Sequence, residues 1–161
     1  MTPFTHDRHS VDENVPHAVR ELVRALVGRA IDDRGRVWMV RQYRHSAGQI
    51  LLELPAGTLE PGEDPRVCAA RECREEIGMA PSQLTPLGEA FLAPGYSTEY
   101  MYFYLATGLT PAPLEADQDE ELAVEPIAPG ALAERIASGD LRDAKTLAAL
   151  YLAKDRLGEA A

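Results

Sequence analysis

The residues of this chain that could do chemistry are crowded into one short stretch. Glu63 is followed by Arg71, and then by Glu72, Glu75 and Glu76. On a helix, where successive residues step by about 100°, positions i, i+3 and i+4 share a face, so these three glutamates come together. Like charges at that spacing repel and weaken an isolated helix. Hard divalent cations such as Mg²⁺ supply the missing positive charge and prefer oxygen ligands. The plainer alternative is a solvated acidic face with Arg71 and Arg74 as partners, which is what charged helix faces usually are. Helix geometry alone does not separate the two.

The local sequence supplies the helix that would present these side chains. Asp64 is a good N-cap, Pro65 stands at the first helical position where its missing N–H costs nothing, and Gly78 suits the residue that closes a helix. The pattern predicts a helix from near residue 65 to near residue 77. Val67, Ala70, Cys73 and Ile77 would form its apolar face, roughly opposite the glutamates. Cys73 is expected on the buried face and Cys68 near its edge. Before the helix, Gly57, Pro61 and Gly62 mark a turn-rich connection that could bring backbone carbonyls and Glu63 toward the carboxylates.

Residues 57–79 read GTLEPGEDPRVCAARECREEIGM. Gly57, Glu63, Arg71-Glu72, an apolar position at Cys73, Glu75-Glu76, Gly78 and apolar Met79 follow the spacing of the Nudix hydrolase signature, which this segment resembles. All nine defined positions over 23 residues match, with Cys73 where an aliphatic is usual. The resemblance implies an α/β fold, the Nudix α/β/α sandwich with mixed sheets and a loop–helix–loop catalytic motif. It also implies Mg²⁺ or Mn²⁺, more than one ion per site, held by Glu72, Glu75, Glu76 and the Ala56 carbonyl. Arg71 would support the catalytic residues by orienting Glu63 or a metal ligand.

The composition sets the bounds. A chain of 161 residues is long enough for one domain with a proper core. A formal net charge of −10 disfavours nonspecific binding to nucleic acid or to anionic membrane, both of which call for basic surfaces. The two cysteines, Cys68 and Cys73, fit neither a CxxC motif nor a disulfide framework. No stretch approaches 18 apolar residues and the N-terminus has no apolar signal core, so a cytoplasmic protein is expected. Residues 1–20 are polar and carry His6, His9 and His17; a polar tail is the preferred reading there, with metal binding by the histidines the alternative. One domain is expected over residues 21–158.

The rest of the chain alternates strands and turns. Residues 22–31 and 37–42 read as strands joined by an Asp32-Asp33-Arg34-Gly35 hairpin turn, in which Gly35 can take positive φ. Arg41-Gln42-Tyr43-Arg44 follows, and arginine forks suit phosphate, although surface charge at a strand end is the simpler reading. Residues 50–55 form a short strand with Glu53 as its polar exception. After the helix, residues 81–86 read as connection, and 87–92 and 100–107 as strands separated by a Pro94-Gly95 turn. The acidic loop Asp117-Gln118-Asp119-Glu120-Glu121 precedes a strand over 122–126. Helices are expected over 129–138 and 143–156 from the spacing of Leu132, Ile136, Leu147, Leu150 and Tyr151.

RQYR, LELPAG and the PGYSTE loop together resemble one Nudix branch, the ADP-ribose pyrophosphatases, although Ala93 stands where that branch often has serine. This resemblance implies substrate contacts at Arg41, Arg44, Glu53, Pro94, Gly95 and Glu99. It implies a general base at Glu120, with Glu121, Glu99, Glu53 or the metals alone as alternatives, and Glu75 and Arg71 among the catalytic residues. It implies hydrolysis of a nucleoside diphosphate linked to another moiety, foremost ADP-ribose to AMP and ribose 5-phosphate, by a homodimer. Other nucleoside diphosphate sugars, dinucleoside polyphosphates or NADH are the alternative substrates. A non-catalytic nucleotide-binding module is the alternative class, against which the three retained glutamates argue.

Overall fold

A computed structural model describes residues 23–115 and 122–154 of the chain. The acidic loop with Glu120 and Glu121, and the N-terminal histidines, lie outside the described residues. The strand β1 (Val23–Ile31) turns into β2 (Val37–Arg44), and Asp32 closes the hairpin by accepting the Arg34 and Arg36 amide N–H groups at 3.0 and 2.9 Å. Gly35 and Gly78 take positive φ, 72° and 69°, where the hairpin and the catalytic-motif helix were expected to close. There follow β3 (Gln49–Glu53), β4 (Ala56–Thr58), α1 (Pro65–Glu76), β5 (Met79–Phe91), β6 (Tyr100–Pro111), β7 (Leu122–Ile127), α2 (Pro129–Ala137) and α3 (Ala144–Ala153).

The strands form one mixed sheet in the order β3-β2-β1-β6-β5, with β4 paired to β1 and β7 to β2. The β1–β6 pair is parallel and the other pairings are antiparallel. Because side chains alternate along a strand, adjacent residues of β2 serve different cores. Val37 and Met39 join Leu52, Phe103 and Leu132 on the face covered by α2 and α3. Val40 joins Ala69, Cys73 and Ile77 on the face covered by α1. Helices thus cover both faces, which is the expected α/β/α sandwich. No helix among the described residues is long and apolar enough to cross a membrane.

Four local expectations are corrected. Residues 81–86 are not a connection, because β5 runs unbroken through Pro81 and Pro86. It pairs with β6 alone and forms the sheet edge, where prolines without an N–H are tolerated. Residues 56–58 are a short strand rather than loop. The buried face of α1 is also rotated from the one expected. Val67 is 58% exposed, whereas Cys68, Ala69, Glu72, Cys73 and Glu76 are buried, so Cys68 is core rather than edge. Ile136 and Tyr151, counted as apolar-face residues of the last two helices, are likewise exposed.

Candidate active site

The acidic residues of α1 are held against β4. Asp64 caps the helix by accepting the Arg66 N–H at 2.8 Å, and Pro65 is its first residue, so the helix starts where the sequence indicated. Glu72 and Glu76 then fall in the middle of the buried face, 7% and 6% exposed. Glu76 Oε2 accepts the Ala56 backbone N–H at 3.0 Å. The Glu72 carboxylate occupies the space beside Gly57 where any other residue would carry its side chain: a Cβ there would lie 1.7 Å from Oε1. Glycine at this position is therefore a requirement of close approach, not of a turn.

Arg71 gathers the remaining charges. Its guanidinium donates to Glu63 through Nε and Nη2, both at 3.0 Å. Its Nη1 donates to Glu72 Oε1 and Glu75 Oε2, both at 2.7 Å. Glu63 also accepts the Glu60 N–H at 3.0 Å, which pins the loop ahead of the helix. The Arg71 hydrogen bond holds the Glu63 carboxyl below the usual carboxylate range, and these acids raise the Arg71 pKa in return, Glu63 first. Arg74 turns away and donates to the Ala112 carbonyl at 3.0 Å. Within the signature, three glutamates thus face one guanidinium, and Glu76 is held apart by the Ala56 N–H.

A cleft of about 410 Å³ is walled by Arg44, Glu53, Tyr96, Glu99, Asp143 and Lys145, and none of the α1 glutamates lines it. Glu53 is only 1% exposed at its base. Arg44 grips it with both arms, Nε to Oε1 at 2.9 Å and Nη2 to Oε2 at 2.7 Å, and Lys145 Nζ also donates to Oε2. Burial pushes the Glu53 carboxyl up, but these two cations outweigh it and leave the pKa lowered. The negative charge of Glu76 also acts on Arg44, which links the cleft to the α1 carboxylates. The β5–β6 loop delivers Glu99 and Tyr96 to the cleft. It is closed by Tyr96 and Ser97 N–H bonds to the Ala93 carbonyl at 3.1 and 2.9 Å, a turn built around Pro94 and Gly95.

Residues 21–150 match the family model of the NUDIX domain. The chain belongs to the Nudix family. A Mycobacterium tuberculosis protein named ADP-ribose pyrophosphatase is 52% identical over 81 residues, which make up 50% of this chain and 39% of that relative. A Bacillus subtilis protein of the same name is 33% identical over 136 residues, 81% of this chain and 74% of that one. Both support the resemblance to the ADP-ribose pyrophosphatase-like branch. A crystal structure of an ADP compounds hydrolase superposes with a TM-score of 0.77 at 24% identity, covering 88% of this chain and 75% of that one, and shows the shared fold.

Nudix hydrolases generally use divalent metal ions, and the donor set here fits a hard cation. It is all oxygen, it is partly buried, and the glycine cradle brings a carboxylate onto the backbone of β4. Among the described residues no three His, Cys, Asp or Glu side chains already stand in a ligating cluster. Glu63, Glu72 and Glu75 are instead spread around Arg71, with Glu76 on the Ala56 N–H.

The expected substrate contacts do not all converge. Arg41 and Arg44 are three residues apart on one strand, an odd spacing that sends them to opposite faces of the sheet. Arg44 reaches the cleft. Arg41 does not: its Nε donates to Glu125 at 2.6 Å and its Nη1 and Nη2 to Asp140 at 3.0 and 2.9 Å, while Arg135 bonds the same two acids. Glu53 is the buried anchor of Arg44 rather than a group offered to solvent. Lys145, Asp143 and Thr146 were not singled out in the sequence. The N-cap spacing of Asp143 to Thr146 was readable there, but the contact of Lys145 with Glu53, far away in the chain, was not.

Proposed function

We propose that this protein is a divalent-metal-dependent Nudix pyrophosphohydrolase whose substrate is a nucleoside diphosphate linked to a second moiety, foremost ADP-ribose, yielding AMP and ribose 5-phosphate. The observation that carries the reading is the pair of buried carboxylates, Glu72 fitted against Gly57 and Glu76 held by the Ala56 N–H, inside a complete Nudix signature. The names of the two bacterial relatives support the choice of ADP-ribose.

Glu72, Glu75, Glu76 and the Ala56 carbonyl would hold Mg²⁺ or Mn²⁺, more than one ion per site. Bound there, such ions neutralise the diphosphate and lower the pKa of a nearby water. The chain's own residues do the rest. Arg44, fixed by Glu53 in the cleft wall, orients the diphosphate as a planar fork of donors. Arg71 keeps Glu63, Glu72 and Glu75 in register. Pro94 and Gly95 shape the loop that carries Glu99 to the cleft. A carboxylate accepts the proton of the attacking water as its oxygen bonds to phosphorus and the bridging P–O bond breaks. Glu120 is our candidate, and Glu99 is the next.

A panel of ADP-ribose, other nucleoside diphosphate sugars, dinucleoside polyphosphates and NADH, each with Mg²⁺ and with products resolved by chromatography, tests the reading. Release of AMP from ADP-ribose, abolished by EDTA, is the expected result; full turnover in EDTA, or no hydrolysis of any member, refutes it. We further propose a cytoplasmic homodimer. Sedimentation showing only a 17.6 kDa species at micromolar concentration contradicts the dimer.

A further inference from the structure

The geometry points to Lys145 as a positioning residue that keeps Arg44 available to the substrate diphosphate by sharing its buried counter-ion, Glu53. Lys145 is 7% exposed, deep for an ammonium group, and reaches the sheet from the first turn of α3. Its Nζ donates to Glu53 Oε2, the same oxygen that accepts Arg44 Nη2, and to Asp143 Oδ2 at 2.9 Å. Asp143 is fixed in turn by the Thr146 N–H and hydroxyl at 3.0 and 2.6 Å, and the Thr146 Oγ1 accepts the Leu54 N–H at 3.0 Å. One helix start therefore clamps the end of β3 just before Ala56, the residue whose N–H holds Glu76.

The charges explain why a lysine is needed there. In this cluster Glu53 and Asp143 are balanced by Arg44 and Lys145. Arg44 spends Nε and Nη2 on Glu53, and Nη1 has no hydrogen-bond partner among the described residues, which leaves it for an anion in the cleft. Without Lys145, Arg44 becomes the sole counter-ion of two acids in a poorly hydrated place and is drawn toward them. An incoming diphosphate then competes with two carboxylates for one guanidinium. The cost falls on substrate binding rather than on the chemical step.

This inference rests on the function proposed above, in which Arg44 meets the diphosphate, so the test has one arm without substrate. In the substrate arm, kcat and KM for ADP-ribose with Mg²⁺ are measured for wild type, Lys145→Met, Arg44→Ala and the double variant. Lys145→Met should raise KM about tenfold with kcat within about twofold, and Lys145→Arg should restore KM. In the Arg44→Ala background, Lys145→Met should change KM by less than about twofold, because its effect passes through Arg44. An unchanged KM in Lys145→Met, or an equal rise in both backgrounds, overturns the inference. If Lys145→Met fails to fold by circular dichroism, Lys145→Gln, which keeps a hydrogen-bond donor for Glu53 without the charge, replaces it; it should raise KM in the same way, and a wild-type KM overturns the inference. In the substrate-free arm, the Arg44 Nε–H resonance, assigned by its loss in Arg44→Ala, should shift in Lys145→Met, and an unmoved resonance also overturns the inference. A wild type that hydrolyses no member of the panel sinks the proposed function instead, and the resonance still decides the role of Lys145.

Discussion

Replacing Gly57 by alanine probes the site at its tightest point. The new Cβ would sit 1.7 Å from Glu72 Oε1 and 1.8 Å from its Cδ, roughly half a normal contact distance. The obstacle is the far end of a side chain, and Gly57 is not among the glycines with positive φ, so the backbone accepts alanine and the carboxylate moves. It must retreat by about 1.5 Å to regain a van der Waals contact. Misplacing a group at a reacting centre by about 1 Å costs on the order of 10²-fold, so kcat/KM for ADP-ribose should fall by at least about 10²-fold, or ~2.7 kcal/mol. Stability should fall only modestly. Alanine gains about 0.4–1 kcal/mol by restricting the unfolded chain, while the charged Arg71–Glu72 hydrogen bond it displaces contributes about 1.5–3 kcal/mol. The assay pairs steady-state hydrolysis over a Mg²⁺ titration with thermal unfolding, and Gly130→Ala, which meets no atom within 4 Å, is the control. Wild-type kcat/KM and Mg²⁺ dependence in Gly57→Ala would refute the placement of Glu72 in the working site. A collapse of Tm would refute the claim that the side chain, not the backbone, gives way.

Other perturbations separate the remaining roles. Glu76→Gln keeps an oxygen to accept the Ala56 N–H, so apo Tm should hold while turnover drops at least about tenfold and extra Mg²⁺ partly restores it; full turnover would remove Glu76 from the metal set. Glu120→Gln should lower kcat by about 10²–10⁴-fold with KM unchanged, and Glu121→Gln should be mild; the reverse pattern shifts the base by one residue. Arg41→Met should lower stability by about 1–3 kcal/mol in urea unfolding and leave KM within about twofold, since its guanidinium serves Glu125 and Asp140; a large KM rise with unchanged stability would return Arg41 to the substrate. The Arg41 and Arg135 hydrogen bonds hold the Asp140 pKa at about 2, below its ordinary 3.8. A depressed carboxyl stabilises the fold above its unfolded pKa, and that contribution is lost as pH falls through the folded one. The urea midpoint should therefore decline between pH 3.8 and 2, and the slope should flatten in Asp140→Asn; an identical slope would show that Asp140 contributes nothing there.

Much of this protein is legible in the residues taken one segment at a time. Asp64, Pro65 and Gly78 delimit α1 because caps and breakers act on backbone groups a few bonds away. The Asp32–Gly35 turn forms for the same reason, and the spacing from Gly57 to Met79 names the family by itself. What the chain alone did not reveal is which faces meet. Periodicity put Val67 inside and the glutamates outside, because apolar residues usually mark the buried stripe. In the folded protein the stripe is centred on Glu72 and Glu76, whose burial depends on Gly57 and the Ala56 N–H of a strand that no pattern had marked. Strand parity then parted Arg41 from Arg44, and the start of α3 brought Lys145 to Glu53. Charges are buried only where a partner stands ready, and that partner is supplied by distant segments, so the working end of this site is decided by tertiary structure.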